Sequence, residues 1–364
     1  MKELNDIIQA YQQSVSQNKR TALVTVVQVE GSSYRRPGAR MLVTEDGAIT
    51  GAISGGCLEG DALRKAQLAI HRQENRLEIY DTTGDEEHTL GVQLGCNGIV
   101  YILFEPIKND GEHHPLDLLE KVLEERKGAV LMTAFNRQKN AEQIGTYALI
   151  LEEEQGADTD VQAVFQQKKS MILPQKTHSV LYQLVPPIQQ LVIVGAGNDV
   201  QPLAEMAALL GWNITVADGR PAYATRQRFP KADKVCMIKA AEILTVVDAD
   251  EHTAVVLMTH NYNYDMAALE RFLRTDCPYI GVLGPKKKLQ KMLGELQENN
   301  VEISEKDLQR MYGPVGLDIG AETSEEIALS IISEIKAVFS SRQGASLKDR
   351  PSDIHERSLL PAHE

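Results

Sequence analysis

The chain has 364 residues, long for one average domain and short for three, so two are expected. Apolar residues make up 43% and charged residues 24%, which excludes a disordered, collagen-like or disulfide-scaffold chain. Acidic residues outnumber basic ones, 51 to 38, for a net charge of -13, and such a surface repels nucleic acid and anionic membranes. Four cysteines, Cys57, Cys96, Cys236 and Cys277, lie far apart with no C-x-x-C pair, which argues against a zinc ribbon or an iron–sulfur cluster. The opening Met1–Asp6 lacks the apolar core of a secretory signal, and no apolar run approaches the roughly 20 residues of a membrane span. A cytoplasmic protein with reduced thiols is the expectation.

In chain order, Leu4, Ile7, Ile8, Tyr11 and Val15 recur at helical spacing and predict an N-terminal amphipathic helix. The valine-rich stretch Thr21–Glu30 predicts a strand, Gly31–Gly38 a loop, and Ala39–Thr44 and Ala48–Ser54 two strands about the turn Glu45-Asp46-Gly47. Leu58, Ala62, Leu63, Ala66 and Ile70 mark a helix over Leu58–Arg72. Strands at Arg76–Thr82 and Ile99–Glu105, a helix at Pro115–Arg126 and a strand at Ala129–Phe135 complete an α+β half. Val185-Pro186-Pro187 marks a boundary, because paired prolines stiffen a linker and continue neither helix nor central strand. The expected domains are 1–186 and 187–342, followed by a polar, disordered tail over 343–364.

Beyond the prolines the pattern becomes strand–helix alternation. Short apolar strands at Gln190–Val194, Asn213–Ala217, Lys234–Ile238, Thr253–Met258 and Tyr279–Leu283, with helices between most of them, predict a Rossmann-like doubly wound parallel sheet. Thr323 with Glu326 forms a capping box ahead of the stripe Ile327, Ile331, Ile332, Ile335 and Val338, so the final helix starts there. Gly195-x-Gly197, between a strand and the helix Asp199–Leu210, is half of a dinucleotide fingerprint and lets a phosphate approach the helix amides. Asp218 ends the next strand, where a carboxylate accepts hydrogen bonds from ribose hydroxyls. Val200 is bulky for the third fingerprint position, and Asp199 places negative charge where pyrophosphate would sit, so a turn without a dinucleotide stays open as an alternative. Thr259-His260 follows one strand, and Gly284-Pro285-Lys286-Lys287-Lys288 follows another and opens a helix. Lysines there oppose the helix dipole unless an anion compensates, so the motif is either an anion site or a solvated basic turn.

In the first half, Ser32, Ser33, Arg35, Arg36 and Arg40 share a small-residue loop whose hydroxyls and guanidinium forks suit an anion, the alternative being a solvated hairpin. Ser54-Gly55-Gly56-Cys57 leads into a helix whose dipole favours a thiolate, and Cys96 stands between glycines in Leu94-Gly95-Cys96-Asn97-Gly98. The competing reading for both cysteines is a small buried hydrophobe, which is also the reading for Cys236 and Cys277.

The stretch GSSYRRPGARMLVTEDGAITGAISGGCLEGDAL and the later LGCNGIVYILFEP resemble the two cysteine motifs of the XdhC/CoxI family. LVIVGAGNDVQPLAEMAALLGWNITVADGRP, VVLMTHNYNYDMAALERFL, YIGVLGPKKK and PVGLDIGAETSEEIALSII resemble its Rossmann module, in order. The resemblance implies an accessory role for molybdenum hydroxylases such as xanthine dehydrogenase: binding the molybdenum cofactor (molybdopterin), supporting its sulfuration and passing it to the apo-enzyme. It implies a target dehydrogenase and a cysteine desulfurase as partners, and stoichiometric hand-over rather than turnover. It carries the cysteine motifs to Cys57 and Cys96, the candidates for sulfur or metal contact, and cofactor binding to Arg35, Arg36, Arg40, Gly195, Gly197, Asp218, Arg220, His260, Asp265 and Asp318; Gly55, Gly56 and Lys286 join the cofactor-binding candidates from their own loops. The chain departs from the family at Asn198, where histidine is common, at Pro285, usually serine, and at Lys286 and Lys287, often arginine. The rival readings are an NAD(P)-dependent oxidoreductase and a nucleotide-binding regulator without catalysis. A complete xanthine dehydrogenase is excluded, because a pair of iron–sulfur clusters, each held by its own set of thiolates, needs more than the four cysteines present. A homodimer is the base-rate expectation.

Overall fold

A computed structural model describes residues 1–82, 98–108, 114–138, 141–154, 156 and 158–351. Contacts divide the chain into one unit, Glu3–Pro187, and a second that begins at Ile188.

The first unit contains α1 (Lys2–Ser16), β1 (Thr21–Gly31), β2 (Arg40–Thr44), β3 (Ile49–Gly51), α2 (Glu59–Arg72), β4 (Arg76–Asp81), β5 (Gly98–Pro106), α3 (Pro115–Glu124), β6 (Ala129–Phe135), β7 (Gly145–Leu151), α4 (Thr159–Gln167), β8 (Met171–Pro174) and β9 (Ser179–Val185). Two antiparallel sheets form, in the orders β3-β2-β1-β5-β4 and β7-β6-β9-β8. Alternation along β1 sets the layers. Ala22, Val24 and Val26 pack on Ala62, Ala66 and Ile70 of α2. Leu23 and Val27 point the other way, to Leu131 and Val185 and to Phe135 and Leu181 of the second sheet. Val161 and Val164 of α4 cover that sheet's far face. The strand expected over Ala48–Ser54 is only Ile49–Gly51, because the Ser54 amide and hydroxyl both donate to Glu59 and draw the chain off the sheet.

The second unit contains β10 (Gln190–Val194), α5 (Val200–Leu209), β11 (Asn213–Asp218), β12 (Lys234–Met237), β13 (Thr253–Leu257), α6 (Tyr262–Phe272), β14 (Tyr279–Val282), α7 (Lys286–Glu298), α8 (Glu305–Gln309), β15 (Met311–Tyr312) and α9 (Ser324–Phe339). Its six strands are all parallel, in the order β12-β11-β10-β13-β14-β15. Numbered within the unit this is 3-2-1-4-5-6, the dinucleotide-binding doubly wound order, whose switch point lies between β10 and β13. Leu191 and Ile193 face α5 and α9, while Val192 and Val194 face α6 and α7, so the central strand is apolar on both sides. Arg310, after α8, donates to the carbonyls of Leu273, Thr275 and Cys277 and to Asp307, tying α6, α8 and the start of β14 together. Among the described residues no helix is long and apolar enough to cross a membrane. Of the tail, residues to 351 are described and include a single 3-10 turn at Leu347–Asp349.

Candidate functional site

Ligands of open parallel sheets bind beyond the carboxyl ends of the strands, at the switch point. Here β10 ends in Gly195, whose φ is +132°, and a Cβ on it would lie 2.6 Å from the Met258 carbonyl oxygen. Only glycine lets the turn after β10 pass so close to the turn after β13. A Cβ on Gly197 would collide with Asp199 Oδ1, so the Asp199 carboxylate lies folded over that glycine. Its other oxygen lies 2.8 Å from His260 Nε2. His260 sits just past β13 with φ +58° and an exposed ring, so this pair spans the switch point. Among the described residues no protein acceptor takes the amides of Gly197, Asn198 and Asp199.

Asp218, at the end of β11, is buried. Its Oδ1 accepts from the Arg220 amide at 2.8 Å and Arg220 Nε at 3.0 Å. Its Oδ2 accepts from the Ala196 amide at 2.8 Å and Arg220 Nη2 at 2.7 Å. Burial pushes this carboxyl up, but the Arg220 contacts and the Ala196 amide outweigh it and hold Asp218 below its ordinary range. The Arg220 guanidinium lies 4.1 Å from the centre of the Tyr223 ring and that of Arg228 5.1 Å from it. Arg228 Nη2 also donates to the Ala196 carbonyl at 3.1 Å and to Asn198 Oδ1 at 3.0 Å. On the other side of the switch point, buried Asp265 accepts from the Thr259 hydroxyl at 2.6 Å and from Lys288 Nζ at 2.7 Å. The lysine motif therefore divides, with Lys288 turned inward and Lys286 and Lys287 exposed. Asp318 is exposed between β15 and α9.

In the first unit, one end of the five-stranded sheet gathers three sequence motifs. Gly31 pairs with Gly98, and a Cβ on Gly98 would lie 2.5 Å from the Ser32 carbonyl oxygen. A Cβ on Gly55 would touch the Tyr34 ring at 3.5 Å, so the arginine loop rests on the loop that carries Cys57. Ser54 organises that loop: its hydroxyl donates to Glu59 and accepts from the Gly56 amide at 3.2 Å and the Leu58 amide at 3.1 Å. Burial raises the Glu59 carboxyl, yet the Ser54 bonds prevail and hold it low. Cys57 is half-buried, 3.7 Å from Ser54 Oγ. Cys96 lies outside the described residues.

The three arginines part company. Arg35 makes a two-pronged ion pair with Glu3 at 2.6 and 2.7 Å, and Arg36 is exposed. Arg40 is buried in β2, where its Nη1 donates to the Gly38 carbonyl at 3.0 Å and, among the described residues, its Nε and Nη2 meet no acceptor. Burial pulls its guanidinium down to about 10, against the pull of Glu105 and Glu3. Arg40 is therefore an interior charge and does not stand on an exposed anion cradle with Arg35 and Arg36. Cys277 is buried too, and burial pushes its thiol up to about 11.

Comparison with known proteins places this geometry. The model for the XdhC and CoxI family matches residues 14–81, and that for the XdhC Rossmann domain matches residues 191–335. A Bacillus subtilis (strain 168) protein named as a probable xanthine dehydrogenase subunit is 31% identical over 87% of this chain and 92% of its own length. The chain belongs to the XdhC and CoxI family. Another relative, the Escherichia coli (strain K12) molybdenum cofactor insertion chaperone PaoD, is 25% identical over 90% of this chain and 86% of its own length. A crystal structure from Bacillus halodurans, described as a xanthine dehydrogenase, superposes with a TM-score of 0.74 at 29% identity, covering 95% of this chain and 98% of that one.

Within this XdhC and CoxI chain, several site-forming side chains escape a sequence reading. Arg228 has no motif around it. Lys288 leads Met292 and Leu296 at four-residue spacing, which is the signal that its stem lies on the buried face of α7. Asp199 reads from sequence as an obstacle to phosphate, whereas in the fold it is the partner of His260. Among the described residues no group of three histidine, cysteine or acidic side chains is placed to hold a metal ion.

Proposed function

We propose that this chain is an accessory carrier that takes the molybdenum cofactor as cargo, holds it for sulfuration by a cysteine desulfurase and delivers it to an apo-enzyme of the xanthine dehydrogenase type. The observation that carries the reading is the state of Asp218. A carboxylate offers about four lone-pair sites, and four protein donors occupy those of Asp218. The usual handle for a dinucleotide ribose is thus engaged within the protein. Asp199 adds a carboxylate over Gly197, where a pyrophosphate would approach. The uncommitted amides of Gly197, Asn198 and Asp199 still suit a single anionic group at the start of α5. A relative named as a molybdenum cofactor insertion chaperone supports the same reading.

In this reading the residues bind and orient, and no chemical step is assigned to them. Gly195 and Gly197 keep the turn narrow enough for close backbone approach. Lys286 and Arg220 supply positive charge at the two flanks of the switch point, and His260 screens Asp199. Cys57, held beside the arginine loop by Ser54, and Cys96 are the thiols assigned to sulfur contact during sulfuration, since thiolates suit soft partners. The dithiolene of the cargo keeps its own metal.

The order of the parallel sheet favours one rival, an NAD(P)-dependent oxidoreductase. Anaerobic purification followed by native mass spectrometry and molybdenum analysis separates the two. A carrier shows bound pterin mass and molybdenum approaching one per chain after co-expression with cofactor synthesis. Retention of NAD(P) without pterin, together with nicotinamide turnover, would overturn the proposal.

A further inference from the structure

The corner beyond β11 carries a second guanidinium, that of Arg228, to which the carrier reading gives no role. Asp218 has no acceptor left for a ribose diol, so the groups that face a ligand there are those of its partner. Arg220 engages Asp218 through Nε and Nη2, and among the described residues nothing accepts from its Nη1. Its side chain is 46% exposed although both of those nitrogens are tied down. Tyr223, 39% exposed, lies against both the Arg220 and the Arg228 guanidinium groups. Arg228 is tethered to the glycine turn through Ala196 and Asn198, and its Nε is buried without a partner among the described residues. Asp218 neutralises one of the two guanidinium groups, and Asp199, the other carboxylate at that turn, is paired with His260 across the switch point. A planar fork fixed on one edge and open on the other fits a compact oxyanion with several acceptor oxygens.

We infer that the Arg220–Tyr223–Arg228 corner is a seat for a phosphomonoester, accepting a ligand that ends in a phosphate and discriminating against the same ligand ending in a hydroxyl. The inference rests on the carrier reading for one of its two ligand sources, the terminal phosphate of molybdopterin. The other source is the 2′-phosphate of an NADP-type dinucleotide, where an arginine at this strand end replaces the ribose-binding acid.

The test measures affinities of the full chain for two matched pairs: a stable oxidised molybdopterin derivative with and without its phosphate, and NADP+ against NAD+. In the unaltered protein the phosphorylated member of at least one pair binds about tenfold tighter or more, as expected for a charge-assisted contact. In Arg220→Gln that ratio falls to near one. Because Arg220→Gln strands a buried carboxylate, the double variant Asp218→Asn/Arg220→Gln repeats the measurement without the unpaired charge, and its ratio is also near one. Ratios near one for both pairs in the unaltered protein, or a ratio that survives in both variants, would overturn the seat. The two readings fail separately. Molybdenum cofactor retained without phosphate discrimination in either pair sinks the seat and leaves the carrier. Discrimination between the dinucleotides with no binding of either pterin derivative keeps the seat and sinks the carrier.

Discussion

At the scale of single residues, Gly195 and Gly55 make a matched pair. A methyl group on Gly195 meets the Met258 carbonyl at 2.6 Å in a left-handed backbone, whereas one on Gly55 meets only the Tyr34 ring at 3.5 Å. Gly195→Ala should therefore cost about 2–4 kcal/mol in urea unfolding, and Gly55→Ala should stay within about 0.5 kcal/mol. Three carboxyls set opposite pH dependences. Asp218 and Glu59 are held below their unfolded values, so each adds stability at pH above about 4, and that stability is lost as pH falls through the lowered folded value. Glu105 is buried between the sheets, and burial raises it despite bonds from the Thr146 amide and hydroxyl and the nearby Arg40 charge. Its contribution is fullest in acid and is lost as pH rises through the raised value. Glu105→Gln should accordingly gain stability relative to the unaltered chain as pH goes from about 4 to 7, read from thermal unfolding across that range. The glycine turn and the Asp218 position are plain in the sequence. That Asp218 is occupied by Arg220 is not, because the position of a residue along a strand says nothing of which donors converge on it.

Among the secondary-structure elements, β2 shows why part of the candidate site stays hidden. Met41 and Val43 face α2, which places Arg40, Leu42 and Thr44 on the opposite face. With no second sheet in view that face reads as solvent, and Arg40 reads as an exposed ligand. On that face Leu42 clusters with Ile7 and Ile8 of α1, Leu131 of β6, Leu151 of β7 and Val185 of β9, and β7 and β9 fall in a stretch that matches no motif, so the burial of Arg40 emerges only in the fold. The long elements behave differently. The final helix starts where its capping box places it, with Thr323 Oγ1 accepting from the Glu326 amide and the Glu326 side chain accepting from the Thr323 amide. Thr323→Ala should cost about 1 kcal/mol. Arg310→Met should cost about 3 kcal/mol, since it leaves Asp307 and three carbonyls without their donor. Both costs can be measured by chemical denaturation.

At the scale of the whole molecule, the parallel sheet was readable because its central strands β10, β11, β13 and β14 are short, apolar and buried on both faces, with the edge strand β12 partly exposed. The antiparallel unit was less so, since its strands answer to partners distant in sequence, such as β1 to β5 and β6 to β9. One closure in that unit has a practical use. The Thr82 amide and hydroxyl both donate to the Gly98 carbonyl, and the Gly98 amide donates back to the Thr82 hydroxyl, so the excursion bearing Cys96 leaves and returns through a single clasp. A hairpin connection of about four residues is long enough to join such a clasp. Exchanging residues 83–97 for one keeps the Thr82–Gly98 clasp and deletes the thiol outright, so molybdenum retention by that variant, set beside Cys57→Ala, reports the share of cargo binding that Cys96 carries.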